Sequence, residues 1–123
     1  MEILALLFLL QVKHYYADFV LQTYAQTVKK GVWLDPVGIS HSIDHAWCSL
    51  LALLFFNFFH PLNVLVILAV GIGEAIVHYI IDFIKVKYGI KDNTKPLFWN
   101  QFGQDQLAHQ ICYIAMTAYL LLL

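Results

Sequence analysis

Four apolar stretches of the chain each carry histidine or carboxylate side chains four residues apart. They are His14 and Asp18 (followed by Gln22), His41 and His45, the run Glu74, His78 and Asp82, and Asp105 and His109. An α-helix turns about 100° per residue, so positions four apart lie on one face, one turn along the axis, where both side chains reach a single ion. The pattern predicts an all-α protein with a metal site assembled from four helices.

What each charge means depends on the solvent around the helices. The chain is 61% hydrophobic and 12% charged, and its mean hydropathy is +0.71. Soluble domains carry about 25% charged residues, so the composition is that of an integral membrane protein. Residues 39–59, 64–84 and 102–123 each approach the roughly 20 residues that cross a bilayer. A fourth stretch, 2–23, is interrupted by Lys13, His14 and Asp18; it lacks a basic leader and a small-x-small cleavage site, which makes it a retained helix and not a signal peptide. Pro36, Pro61 and Pro96 fall one per connection, where a missing N–H harms no helix. A single domain over 1–123 follows, a polytopic four-helix membrane bundle.

All seven cations are lysines. Lys29 and Lys30 fall in the first connection and Lys85, Lys87, Lys91 and Lys95 at or in the third, while the turn at 59–63 has none. The positive-inside tendency then puts both termini outside, with Trp33 and Trp99 as interfacial anchors on the cytoplasmic side. In that topology His14 and Asp18, and likewise Glu74, His78 and Asp82, come late in inward-running helices. His41 and His45, and Asp105 and His109, come early in outward-running ones. All four groups therefore share one depth.

Any one such pair alone reads as a helix cap or a packing hydrogen bond. Six charged side chains in the spans, Lys13, Asp18, Asp44, Glu74, Asp82 and Asp105, raise the stakes. At roughly 2.5 to 3.5 kcal/mol each if unpaired, they sum to on the order of 15 kcal/mol, against a domain stability of roughly 5 to 15. They must be paired, hydrated or coordinated. Asp44 points about 100° from His45 and is expected to meet a lysine such as Lys13 or Lys85. Asp18, Glu74, Asp82 and Asp105 carry enough charge to neutralise two divalent ions. Gly71 and Gly73 read as close-packing positions and Cys48 and Cys112 as small packing residues, with no disulfide framework. A net charge of -1 with no basic domain speaks against nucleic acid.

The elements His14-x-x-x-Asp18-Phe19-x-x-Gln22, His41 with His45, His78-x-x-x-Asp82 with Lys85, and Asp105-Gln106-x-x-His109 together resemble a family of small bacterial and phage integral-membrane proteins known only as a domain of unknown function. The resemblance covers essentially the whole chain and implies the bacterial inner membrane. More distantly, the layout is similar to that of inner-membrane proteins labelled metal-dependent hydrolases. Glu74 is not part of the family pattern, so its candidacy rests on helical spacing alone.

Imidazole mixed with carboxylate favours Zn²⁺, with Mn²⁺ or Fe²⁺ behind it and the oxygen-seeking Mg²⁺ and Ca²⁺ last. Di-iron bundles use Glu-x-x-His instead, and haem would leave the carboxylates without a role. Nine candidate ligands, His14, Asp18, His41, His45, Glu74, His78, Asp82, Asp105 and His109, exceed one tetrahedral shell and point to two ions or to one ion with a surrounding shell. The expected activity is metal-assisted hydrolysis of a phosphoester in a membrane lipid or lipid-linked headgroup, with Glu74 as general base and Lys85 or Lys30 holding the phosphate. Two other classes stay open: a divalent-cation or proton carrier, and a non-catalytic scaffold or sensor stapled by metal. The nearly charge-free stretches 3–10 and 113–123 weigh against a through-route in a monomer. Self-association is left open.

Overall fold

The structure is a computed structural model that describes residues 1–122, and it is all-helical. Helix α1 (Glu2–Tyr16) runs into a π-helical turn (Ala17–Leu21) and is followed by α2 (Tyr24–Lys29), α3 (Pro36–Asn57), α4 (Val64–Tyr88) and α5 (Pro96–Leu122). Local chemistry sets the starts. Asp35 caps α3 by accepting from the Val37 amide at 2.9 Å, with Pro36 at the first position. Asn63 does the same for α4 through Leu65 at 2.8 Å. Pro96 opens α5, six residues ahead of the expected boundary, and Leu123 lies outside the described residues.

One element falls where the sequence reading had only a connection. Thr23 and Gln26 form a reciprocal capping box, the Gln26 amide donating to Thr23 Oγ1 at 3.3 Å and the Thr23 amide to Gln26 Oε1 at 2.8 Å, and this box starts α2. Just before it, Gln22 turns extended (ψ 123°) and ends the first helix at Leu21.

Helices α1, α3, α4 and α5 pack in a closed ring, each against two neighbours, and α2 lies against α3. The burial pattern is inverted relative to a soluble bundle. Lys13, His14, His41, His45, Glu74, His78, Asp82, Asp105 and His109 are buried, while Phe8, Leu51, Phe55, Leu65, Ile72 and Ile114 face outward. Such a surface suits hydrocarbon. The segments Glu2–Leu21, Pro36–Asn57 and Val64–Tyr88 are long and apolar enough to cross a membrane. Helix α5 has the length but carries Gln101, Gln104, Asp105, Gln106 and Gln110 within positions 101–110 and is not apolar enough by the same measure. At the end holding the start of α1, Leu6, Leu10, Leu53, Phe56, Ile67 and Tyr113 form an apolar cluster.

Two glycines test the packing in opposite senses. A Cβ on Gly38 would lie 2.8 Å from both the Lys29 carbonyl oxygen and Lys30 Cα, so this position fixes how closely the end of α2 approaches α3. A Cβ on Gly73 would meet nothing within 4 Å. Gly71, with Leu50 at 3.1 Å, fits the expected close-packing role, and Gly73 does not. Gly38→Ala is expected to lower stability by about 1–3 kcal/mol through overpacking, whereas Gly73→Ala gains up to about 1 kcal/mol of helix propensity. Thermal unfolding of both variants in one detergent checks the difference, and equal midpoints would contradict the packing.

Candidate metal centre

The helix register stacks the interior in layers. Inward of the apolar cluster come Lys13 and Glu74, then the rings of His14, His45, His78 and His109, then Asp18, His41, Asp82 and Asp105. The rings of His45 and His78 stack with centroids 3.6 Å apart, and those of His78 and His109 at 4.1 Å. Asp18 stands in the π-turn, a wider coil that often marks functional sites, and its Oδ1 lies 2.9 Å from His45 Nε2 and 3.1 Å from His41 Nε2. Asp82 Oδ2 lies 3.2 Å from His78 Nε2, 3.3 Å from His41 Nε2 and 3.0 Å from Lys30 Nζ.

Two sets of donor atoms are close enough to share an ion: Asp18, His41, His45 and His78, and then His78, Asp82 and His109, with the atoms of each set within 4.8 Å of one another. His78 belongs to both. Its side chain is 1% exposed, yet neither ring nitrogen makes a hydrogen bond, although Asp82 is only 3.2 Å away. His109 Nε2 is equally without a partner, with Asp82 Oδ1 and Asp105 Oδ1 each at 3.6 Å. An unpaired buried polar group costs about 1–3 kcal/mol, so such groups are ordinarily satisfied. His78 and His109 thus keep unsatisfied ring nitrogens inside a crowd of further nitrogen and carboxylate donors. Two ligand atoms on a tetrahedral zinc stand about 3.3 Å apart, close to these separations. The donor set therefore fits a divalent ion.

Six of the nine expected ligands fall in these two sets. His14 lies beside them: its Nδ1 is 2.8 Å from the Tyr113 hydroxyl, and its Nε2 is 3.0 Å from Gln106 Oε1 and 3.3 Å from Asp18 Oδ2, an arrangement that orients Asp18. Asp105 faces Lys85 at 3.8 Å, and its Oδ1 has no hydrogen-bond partner. Glu74 belongs to neither set, because its carboxylate receives the Lys13 ammonium in the neighbouring layer. Lys13 Nζ also lies 3.4 Å from His45 Nδ1, tying this ion pair to the centre.

Lys30, expected at the membrane surface, reaches inward to Asp82 with its side chain 8% exposed. Asp44 meets neither expected lysine; Gln26 donates to it at 2.8 Å, a contact that exists because α2 brings Gln26 over α3. Lys85 is partly exposed at the edge of the centre. A small cavity of about 60 Å³, bordered by Asp18, Gln22, Lys30, Lys85, Phe102 and Gln106, opens beside the carboxylates. Cys48 and Cys112 are free and outside both donor sets. Tyr113 was not among the expected site residues, although it stands one turn after His109 on the same face and its spacing announced it.

The Lys13–Glu74 pair is buried deeply enough that loss of one partner strands the other. Lys13→Met should destabilise the protein by about 3–5 kcal/mol, and the double variant Lys13→Met/Glu74→Met should recover most of that loss. Unfolding in one detergent reads both; a double variant as unstable as the single one would contradict a mutual neutralisation.

The family model described as a protein of unknown function, DUF3307, matches residues 6–123, a segment that contains every residue of the centre. Neither the curated proteins nor the solved structures gave a match. The chain belongs to the DUF3307 family.

Proposed function

We propose that this protein is a membrane-embedded metal protein that hydrolyses a phosphoester in a lipid or lipid-linked headgroup at the cytoplasmic leaflet. The observation that carries the metal is the convergence of Asp18, His41 and His45 on His78, whose buried ring nitrogens make no hydrogen bonds. The imidazole-rich donor set favours zinc. A divalent ion held there supplies an acidified water, with a pKa of about 7, and stabilises charge on the phosphoryl oxygens.

The chain's own residues supply the rest. His14 orients Asp18, and Gln22 packs against the His41 ring, its Nε2 2.8 Å from His41 Nε2. The general-base role expected of Glu74 is set aside, because its carboxylate is paired with Lys13. Lys85 binds the phosphate at the edge of the centre. Both termini face outward in this reading, with α5 as the fourth span, so the centre sits at headgroup depth on the lysine-rich side. The layer of Leu6, Leu10, Leu53, Phe56 and Ile67 closes the bundle toward the other face, which favours an enzyme over a carrier.

Charge decides the number of ions. Lys13, Lys30 and Lys85 face Glu74, Asp82 and Asp105, which leaves Asp18 with histidines alone. A first ion therefore belongs beside Asp18, and the set containing Asp82 takes a second only when Lys30 withdraws. Elemental analysis of protein purified without chelator should give about one divalent ion per chain. Lys30→Met should raise that toward two, and His78→Ala, which removes the shared ligand, should strip the metal while leaving the chain inserted. Reconstituted, metal-loaded protein should release phosphate or headgroup from lipid phosphoesters. Metal-free wild type would overturn the coordination, and metal without turnover would move the reading to a scaffold.

A further inference from the structure

We propose that the outward seam between α4 and α5 is a lipid groove that seats one hydrocarbon chain of a phosphate-headed lipid, with the phosphate at Lys85. The binding claim stands on the groove itself; only the fate of the headgroup rests on the hydrolase reading above.

Two clefts lie in line along this seam. The first, about 340 Å³, is bordered by Ile84, Lys85 and Tyr88 of α4 and by Gln101, Gln104 and Asp105 of α5. The second, about 290 Å³, is bordered by Val70, Gly73 and Val77 of α4 and by Cys112, Ala115 and Met116 of α5. On α4 the bordering positions 70, 73, 77, 81, 84 and 88 follow helical spacing, so both clefts occupy one stripe.

The two ends differ in chemistry. The first cleft holds an ammonium and two side-chain amides, which match a phosphate's charge and its hydrogen-bond acceptors. The second is walled almost wholly by apolar groups, and Gly73 leaves open space where any other residue would project. Lys85 and Val70 are separated by about 22 Å along the helix. Half of a roughly 30 Å hydrocarbon layer is about 15 Å, so the stripe runs from headgroup depth past the midplane. An anionic group at the lysine-rich interface with a chain directed toward the bilayer centre is the shape of a lipid phosphate, and it is what fills such a stripe in a membrane.

The groove also meets the metal centre. Asp105 borders the first cleft with its side chain 4% exposed, and its Oδ1, without a hydrogen-bond partner, lies 3.6 Å from His109 Nε2. A carboxylate beside a phosphate is repulsive by itself. Lys85, 3.8 Å from Asp105, offsets that charge and holds the phosphate on the outer side while Asp105 faces inward. Lys85 additionally lies 5.3 Å from the Phe102 ring centroid, which confines its stem to the mouth of the cleft.

The test uses dodecyl phosphate, dodecanol and inorganic phosphate as probes of the full chain in an uncharged detergent, read by native mass spectrometry. Wild type should retain dodecyl phosphate at concentrations where neither of the other two is held. Gly73→Leu and, from the facing helix, Ala115→Leu should each weaken dodecyl phosphate about tenfold, the effect of keeping roughly two methylenes out of the groove. Lys85→Gln should weaken dodecyl phosphate and leave dodecanol unchanged. Metal content of the same samples separates the two readings: a groove that binds in a metal-free wild type fails the coordination model alone. If both leucine variants bind as wild type does, or inorganic phosphate binds as tightly as dodecyl phosphate, the groove is wrong. Should one leucine variant lose monodispersity, the other carries the comparison.

Discussion

Asp82 is held between Lys30, His41 and His78 at 3.0 to 3.3 Å, with its side chain 4% exposed, and much of the molecule is arranged around keeping that charge satisfied. A carboxylate inside a membrane bundle is tolerated only where cations or polar hydrogens surround it. Helices α3 and α4 and the segment after α2 all contribute to this one group. The requirement extends outward: Lys30 reaches Asp82 because α2 lies tightly on α3, and α2 lies that close because position 38 has no side chain.

The same constraint explains the layering. Each fully buried carboxylate has a lysine: Glu74 has Lys13, Asp82 has Lys30 and Asp105 has Lys85. Asp18 has histidines, which are neutral ligands as readily as they are cations. That asymmetry separates carboxylates neutralised by a lysine from the one whose neighbours are themselves metal-binding side chains. It also leaves one end of the bundle apolar and the other open, with a small cavity beside the carboxylates and a longer cleft along α4 and α5.

Much of this was legible in the residues themselves. The i, i+4 spacing put His41 with His45 and His78 with Asp82 on shared faces, and the alternation of early and late positions brought four helices to one depth. Spacing along a helix reports direction but not distance, so it could not tell Glu74, one layer away and paired with Lys13, from a ligand. Nor could it foresee the π-turn, which rests on backbone geometry around Asp18. Helix α2 is announced by its Thr23 and Gln26 capping box, although the segment is short enough to read as a connection. Without α2 the sequence leaves Lys30 at the surface and offers Asp44 a lysine in place of Gln26.

The family relationship carries no activity with it, so the chemistry rests on the donor set. X-ray absorption at the metal edge of protein purified without chelator tests that set most directly. The account predicts nitrogen and oxygen donors at about 2.0–2.1 Å with the outer-shell scattering of more than one imidazole. A sulfur shell at about 2.3 Å, which would implicate Cys48 or Cys112, or an all-oxygen shell without imidazole, would contradict it.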